Sequence, residues 1–340
     1  MTIEPIRPRS RRRHVLITGG LGFIGTHVAD AFLAAGHAVT LVDSMVQAVT
    51  DGSWYRGMPE VAIHTISIED YLEQGADLAA FDLVIHAASH VGPASILKYT
   101  GRLGFEIVNA THRVIEACLE AGRPLVVFSS AEVYGRSGRL AESDDLIVPV
   151  PYSTRVEYAI GKALTEAMTL NSRHRGLKGL VIRPFNVTGS RQSKAGGFVM
   201  PTFVQQALSG QPITVFAGGR QTRAFLAATD LARFLVEHLD AALASGHGIV
   251  NLGNPDNAVS VLELAHRIKR LAGSTSPIVH VDGKAIHGEL YEEAASVDKL
   301  PVLDAAVAAG WTPRVGLDEL IQQTIAFYRS HRDFCADEAA

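Results

Sequence analysis

The chain has 340 residues, enough for one large α/β unit or two modest domains, with 47% hydrophobic and 19% charged residues. A formal net charge of −4 excludes a global electrostatic case for nucleic acid or an anionic membrane, and no apolar run is long enough to span a bilayer. The two cysteines, Cys118 in a helical pattern and Cys335 in a polar tail, suggest neither a disulfide framework nor a metal site and fit a reducing cytoplasm.

In chain order, residues 1–13 end in the basic stretch "RPRSRRR" and read as a disordered N-terminus. Strand candidates follow at "HVLIT" (14–18), "AVTLVD" (38–43), "VAIHTI" (61–66), "DLVIHAA" (82–88), "PLVVFSS" (124–130) and "GLVIRP" (179–184). Helix-period segments separate most of them. Nearly continuous apolar strands spaced by amphipathic helices predict βαβ units and a buried, doubly wound parallel sheet of Rossmann type. Its ligand crevice should lie at the carboxyl ends of the strands. Past residue 185 the rhythm loosens. "GSRQSKAGG" reads as a loop, "FVMPTFVQQALSG" as a helix, "PITVFAGG" as a strand and turn, and "GIVNLGN" (248–254) as a strand returning to the sheet. "SVLELAHRIKRLAG" and "GLDELIQQTIAFYRSH" are amphipathic helices. The expected division is a doubly wound Rossmann domain over 14–184, with 217–254 partly returning to it. A smaller, partly interleaved substrate-binding lobe takes 185–216 and 255–330, and a tail takes 331–340.

"TGGLGFIG" (18–25) follows the first strand and opens the first helix. Gly19, Gly22 and Gly25 permit a tight turn, close approach to a pyrophosphate, and close helix–strand packing, with the helix N-terminus facing the phosphates. Asp43 ends the second strand about 20 residues further on, where a carboxylate accepts from both ribose hydroxyls and repels a 2′-phosphate. NAD is therefore favoured over NADP. "YAIGK" carries Tyr158 and Lys162 four residues apart, on one helix face. A neighbouring ammonium and an oxidised nicotinamide would together stabilise a phenolate able to take a proton from a sugar hydroxyl.

"TGGLGFIG", "HAAS" (86–89), "SSAEVYG", "YAIGK", "RPFNVTG" (183–189), "GGRQTRAF" (218–225) and "NLGNP" (251–255) occur in the order found in extended short-chain dehydrogenases. The chain resembles their NAD-dependent epimerase/dehydratase family from about residue 14 to residue 330. That resemblance implies a nucleotide-diphosphate sugar, in particular a UDP-sugar, oxidised at its C4 hydroxyl. It implies Ser130 as the hydrogen-bond partner of that hydroxyl, Tyr158 as base, and Lys162 as the partner of Tyr158 that also holds the nicotinamide ribose. Candidate cofactor contacts are Gly19, Gly22, Phe23, Ile24, Gly25, Asp43, Ser44, Ala87, Ala88 and Lys162. Candidate substrate contacts are His90, Asn186 and Arg223, while His86 is expected to pack under the cofactor loop. Thr65 stands where the family often has an aspartate near the adenine. Relatives pair the helices near 100–121 and 153–174 across a two-fold axis, which implies a homodimer with a four-helix bundle.

Glu132 is the one charge in "FSSAEVYG" (128–135). A glutamate there resembles the sugar-nucleotide 4,6-dehydratases and the UDP-glucuronate decarboxylases. The dehydratases carry an aspartate just before it as acid; Ala131 cannot donate a proton. In a decarboxylase the C4 ketone makes a C6 carboxylate a β-keto acid, and Glu132, beside a cation such as Arg223, would serve as proton source at C5. The expectation leans to decarboxylation of a UDP-glucuronate-type substrate, with 4-epimerisation the alternative. Phe198 occupies the place of an arginine usual in the decarboxylase branch, which favours the alternative. Further alternatives are a dehydratase without its aspartate, an inactive NAD-binding sensor, and a purely structural, backbone-capping Glu132.

Overall fold

The computed structural model describes residues 11–331 apart from 137, 151 and 283–297, so most of the basic N-terminus, the tail from 332 and Cys335 lie outside the described residues. The first five strands are β1 (His14–Thr18), β2 (Ala38–Val42), β3 (Val61–His64), β4 (Leu83–His86) and β5 (Leu125–Phe128). They are followed by β6 (Gly138–Leu140), β7 (Gly179–Pro184), β8 (Val187–Thr188), β9 (Ile213–Phe216) and β10 (Thr222–Ala224). The last are β11 (Leu226–Ala227), β12 (Ile249–Leu252), β13 (Ala258–Ser260), β14 (Ile278–Val281) and β15 (Lys299–Pro301).

The six strands predicted up to residue 184 and the returning strand at 248–254 enter one parallel sheet in the order β12-β7-β5-β4-β1-β2-β3, while the strand predicted in "PITVFAGG", β9, pairs with β14 in a separate small sheet. β4 and β5 are buried along their whole length because helices cover both faces, whereas the edge strand β3 alternates half-buried and exposed positions. The strand order reverses between β1 and β4, which opens the crevice outside their carboxyl ends. The predicted doubly wound sheet is the observed one.

The later segments build what faces that crevice. β13, β10, β15 and β6 form a second sheet, in which β15 pairs in parallel with both β10 and β6. Asp298, just ahead of β15, accepts from Thr222 N (2.6 Å) through its carboxylate and from Gly138 N (2.8 Å) through its carbonyl, pinning the strand between its neighbours. The predicted helices form at Val199–Ser209, Val261–Ala272 and Leu317–Ser330 and share an apolar core around Phe203, Leu264 and Ile321. "GSRQSKAGG" is turns with a short 3-10 segment at Lys194–Gly196. Among the described residues no helix is long and apolar enough to cross a membrane, and no group of His, Cys, Asp and Glu could hold a metal ion.

Candidate active site

The glycine loop joins β1 to the helix α1 (Phe23–Ala34), with Gly22 as its N-cap. Gly19 has φ +67°, and a Cβ there would lie 2.8 Å from Ala88 Cα, so only glycine lets the two strand ends close on each other. A Cβ on Gly25 would collide with the Gly19 carbonyl oxygen, so the third glycine serves helix–strand packing. Asp43 folds its carboxylate over the loop, accepting from Leu21 N at 3.0 Å and Met45 N at 2.8 Å. Burial pushes this carboxyl up, against the backbone hydrogen bonds of Met45, Leu21 and Gly22 that favour the charge. Even with these bonds the carboxylate keeps an open lone pair. A cradle without side chains, the α1 N-terminus and this carboxylate together fit a dinucleotide. Phe23, Ile24, Ala87 and Ala88 are partly buried around it, and Ser44 is exposed. Beneath it His86 Nδ1 meets Thr18 Oγ1 at 2.8 Å; burial and then Lys162 lower the imidazole to about 3, so it stays neutral under the loop as expected.

The second half of the site is carried by the helix Thr154–Ser172, capped by Ser153 accepting from Val156 N. Tyr158, Lys162 and Glu166 succeed one another at four-residue spacing on its buried face. Lys162 Nζ donates to Phe128 O at 2.8 Å, at the end of β5, and burial lowers the ammonium to about 8 despite Glu166. Tyr158 packs with Ile96, Leu103 and Ile107. Burial pushes its phenol well above the ordinary range and Glu132 pushes it further, while a hydrogen bond with Ser130 acts the other way. The expectation that the lysine supports a phenolate thus meets a desolvation cost that the protein alone does not offset. One turn beyond Lys162, Glu166 receives Arg183 Nε (2.9 Å) and Nη2 (2.6 Å) and the Ser129 hydroxyl. Arg183 in turn lies over the Tyr134 ring, 4.7 Å from its centroid.

Glu132 is where the structure adds most. Its backbone N–H donates to Ser130 Oγ at 3.2 Å, so Ser130 is the local cap and the Glu132 carboxylate is left for side chains. That carboxylate is 2.7 Å from Lys299 Nζ and 3.7 Å from Arg155 Nη1. Burial works to raise this carboxyl, yet Lys299, Arg155 and Arg223 outweigh it and hold it below the usual carboxylate range. Sequence reasoning named Arg223 but missed Arg155 and Lys299. Arg155 sits three residues ahead of Tyr158, a helical spacing that could have pointed to it. Lys299 carries no comparable signal, since it arrives on β15 from far along the chain.

The other expected substrate contacts are placed more loosely. His90 stacks on Tyr99 with centroids 3.9 Å apart and lies 3.3 Å from Glu106; Tyr99 also borders the cluster around Tyr158. Asn186 has φ +41° and its amide donates to Ala224 O at 3.2 Å, beside Arg223.

The model of the NAD dependent epimerase/dehydratase family matches residues 15–253. The chain is 30% identical to a UDP-N-acetyl-alpha-D-glucosaminuronate decarboxylase of Bacillus cytotoxicus, covering 94% of this chain and 98% of that protein. It is 29% identical to UDP-glucuronic acid decarboxylase 1 of Xenopus tropicalis, covering 96% and 74%. Among solved structures, a UDP-N-acetylglucosamine 4-epimerase from Methanobrevibacter ruminantium superposes with a TM-score of 0.80 at 21% identity, covering 94% of this chain and 99% of that one. At that identity the likeness speaks for the fold.

Removing Glu166 should leave the Arg183 charge buried without its partner. Glu166→Ala is expected to cost about 3–5 kcal/mol in denaturant unfolding, with loss of turnover in whatever protein still folds. A loss under about 1 kcal/mol would show that the pair does not hold the helix in place.

Proposed function

Because the chain belongs to the NAD-dependent epimerase/dehydratase family, we propose that it is an NAD-dependent enzyme that oxidises the C4 hydroxyl of a UDP-linked uronic acid and decarboxylates the resulting keto acid. The observation that carries this reading is the cluster of Lys299, Arg155 and Arg223 around Glu132, next to the Ser130–Tyr158 pair. Asp298 acts on Arg223, but Lys299 and Arg155 still set two cations against the one Glu132 carboxylate, which leaves positive charge for an anionic sugar substituent that a neutral hexose does not bring. The names of the relatives that align along their length point the same way.

When bound, NAD supplies the acceptor for hydride from C4 and its later source. Everything else falls to the chain. Ser130 holds the C4 hydroxyl and Tyr158 takes its proton, a transfer that becomes favourable only when cationic charge offsets the burial of the phenol. Lys162, buried and fixed on Phe128 O, provides part of that charge. Asn186, Arg223 and the lobe of 185–216 and 255–330 hold the nucleotide diphosphate, and His90 borders the sugar.

Epimerisation at C4 remains the second reading, and Phe198 is what favours it. It is the N-cap of Val199–Ser209 and packs over Gly92 and Gly196, so no cation stands at that place. Arg155 and Lys299 supply positive charge from another direction. A panel of UDP-, dTDP-, GDP- and CDP-sugars read by mass spectrometry separates the readings. Loss of carbon dioxide from UDP-glucuronate or its N-acetylamino counterpart is expected; conversion at unchanged mass with no product from either uronate would overturn decarboxylation. Tyr158→Phe should cut turnover by about 10²–10⁴ while NAD still binds.

Assembly follows from the same helices. Thr154–Ser172 packs against Leu103–Ala121, and Phe105, Ile160 and Leu164 stand exposed on them at 74%, 42% and 47%. A second copy covering this face would form a four-helix homodimer. Light scattering should report a dimer at micromolar concentration and a monomer for Leu164→Glu. A monomeric wild type would refute the pairing. A buried, reduced Cys118 and a nucleotide-sugar substrate accord with a cytoplasmic setting.

A further inference from the structure

We infer that Lys299, rather than Glu132, is the acid that protonates C5 after carbon dioxide leaves. The inference rests on the decarboxylase reading above and assigns a catalytic role within it. Lys299 lies on β15 in register with Arg223 on β10, so the two side chains share one face of the small sheet. Its side chain is 9% exposed and its Nζ is 2.7 Å from a Glu132 carboxylate that is itself 27% exposed. Glu132 lies close enough to Tyr158 to act on its phenol. The C4 base and the ammonium therefore flank one carboxylate.

The cluster contains four charged groups, and their chemistry divides them. Guanidinium groups do not release protons at any working pH, which removes Arg155 and Arg223 as donors. Glu132 is held ionised by its neighbours and has no proton to give. His90 is kept neutral, because burial outweighs Glu106. Tyr158 serves C4. Lys299 holds a proton against Glu132 and is driven to release it by burial and by the two guanidinium groups. The groups facing it are Glu132 from the turn after β5, Arg155 from the helix and Arg223 from β10, with Asp298 acting on Arg223.

The step balances without a further reagent. In the C4 keto acid the C5–C6 bond breaks, C6 leaves as carbon dioxide, and the electron pair becomes the C4–C5 double bond of an enolate. The enolate then closes its C4 carbonyl and directs the pair at C5 to a proton on Lys299 Nζ. The N–H bond breaks with its pair left on nitrogen, and the C5–H bond forms. Water reaching the exposed side of Glu132 returns a proton to the amine.

The test gives the holoenzyme UDP-glucuronate in deuterium oxide and follows carbon dioxide, absorbance of bound NADH, and deuterium at C5. Wild type should release carbon dioxide and carry deuterium at C5, with turnover falling as pH rises and the ammonium is lost. Lys299→Arg keeps the charge and the pair with Glu132 but not a transferable proton. It should release about one equivalent of carbon dioxide, accumulate NADH, and lose turnover by about 10²-fold or more. Lys299→Met, checked for folding by circular dichroism, should stall similarly if it folds. Lys299→Arg turning over within threefold of wild type would overturn the assignment and leave decarboxylation standing. A folded Lys299→Arg that forms no NADH would also overturn it, since the lysine would then serve binding or C4 oxidation. A wild type that releases no carbon dioxide from this nucleotide or its N-acetylamino counterpart would overturn both the assignment and the reading beneath it.

Discussion

The Glu166–Arg183 pair is the constraint on which the catalytic half of the molecule depends. Both side chains are 3% exposed, so each charge would be costly without the other. Burial opposes the Arg183 charge, and Glu166 more than restores it. The pair ties the helix Thr154–Ser172 to β7, and the Ser129 hydroxyl ties it to the end of β5. A helix anchored at Glu166 has little rotational freedom, so Lys162 and Tyr158 must point along the same line toward the crevice. Tyr134, under the Arg183 guanidinium, passes the restraint on by donating to Asn251 Oδ1 at 2.7 Å. Asn251 in turn donates to Leu140 O and Val302 O, each at 3.0 Å, tying β12 to β6 and to the chain beyond β15. A satisfied buried network of this kind rigidifies what it joins.

That linkage explains how two sheets meet at one centre. The large sheet provides the cradle and the end of β5; the small sheet provides Arg223 and Lys299. Glu132 bridges them, sitting in the turn after β5 and paired to a lysine on β15. The electrostatics differ between the two sides. Around Tyr158 burial keeps the resting phenol neutral and makes its ionisation depend on what binds. Around Glu132 the neighbouring cations keep the carboxylate ionised. A neutral phenol and an ionised carboxylate thus stand side by side, each held in its state by its own surroundings.

The cofactor cradle was legible in the sequence because it is local: glycines, a strand end and a helix start lie within one short stretch, and Asp43 ends the next strand. The Tyr158–Lys162 pair was legible for a similar reason, since helical spacing alone puts both on one face. The same reasoning reaches Arg155 and Glu166, which were overlooked because nothing in the spacing distinguishes them from surface charges. Glu132 stood out by its isolation, but the notion that it caps backbone does not survive its geometry, in which Ser130 does so and the carboxylate meets cations.

By itself, then, the sequence determined the seven-stranded parallel sheet, the glycine cradle and the placement of Tyr158 and Lys162 on one helix face. Period and spacing act over one or two elements, and burial on both faces leaves such strands no other arrangement. Only the tertiary structure decided the charge around Glu132. Arg155, Arg223 and Lys299 come from a helix and two strands widely separated along the chain. Their meeting depends on β15 pairing between β10 and β6, a long-range register that Asp298 fixes with bonds to both neighbours. Whether a carboxylate can give a proton or must hold another group's depends on exactly those neighbours, and no local pattern encodes them.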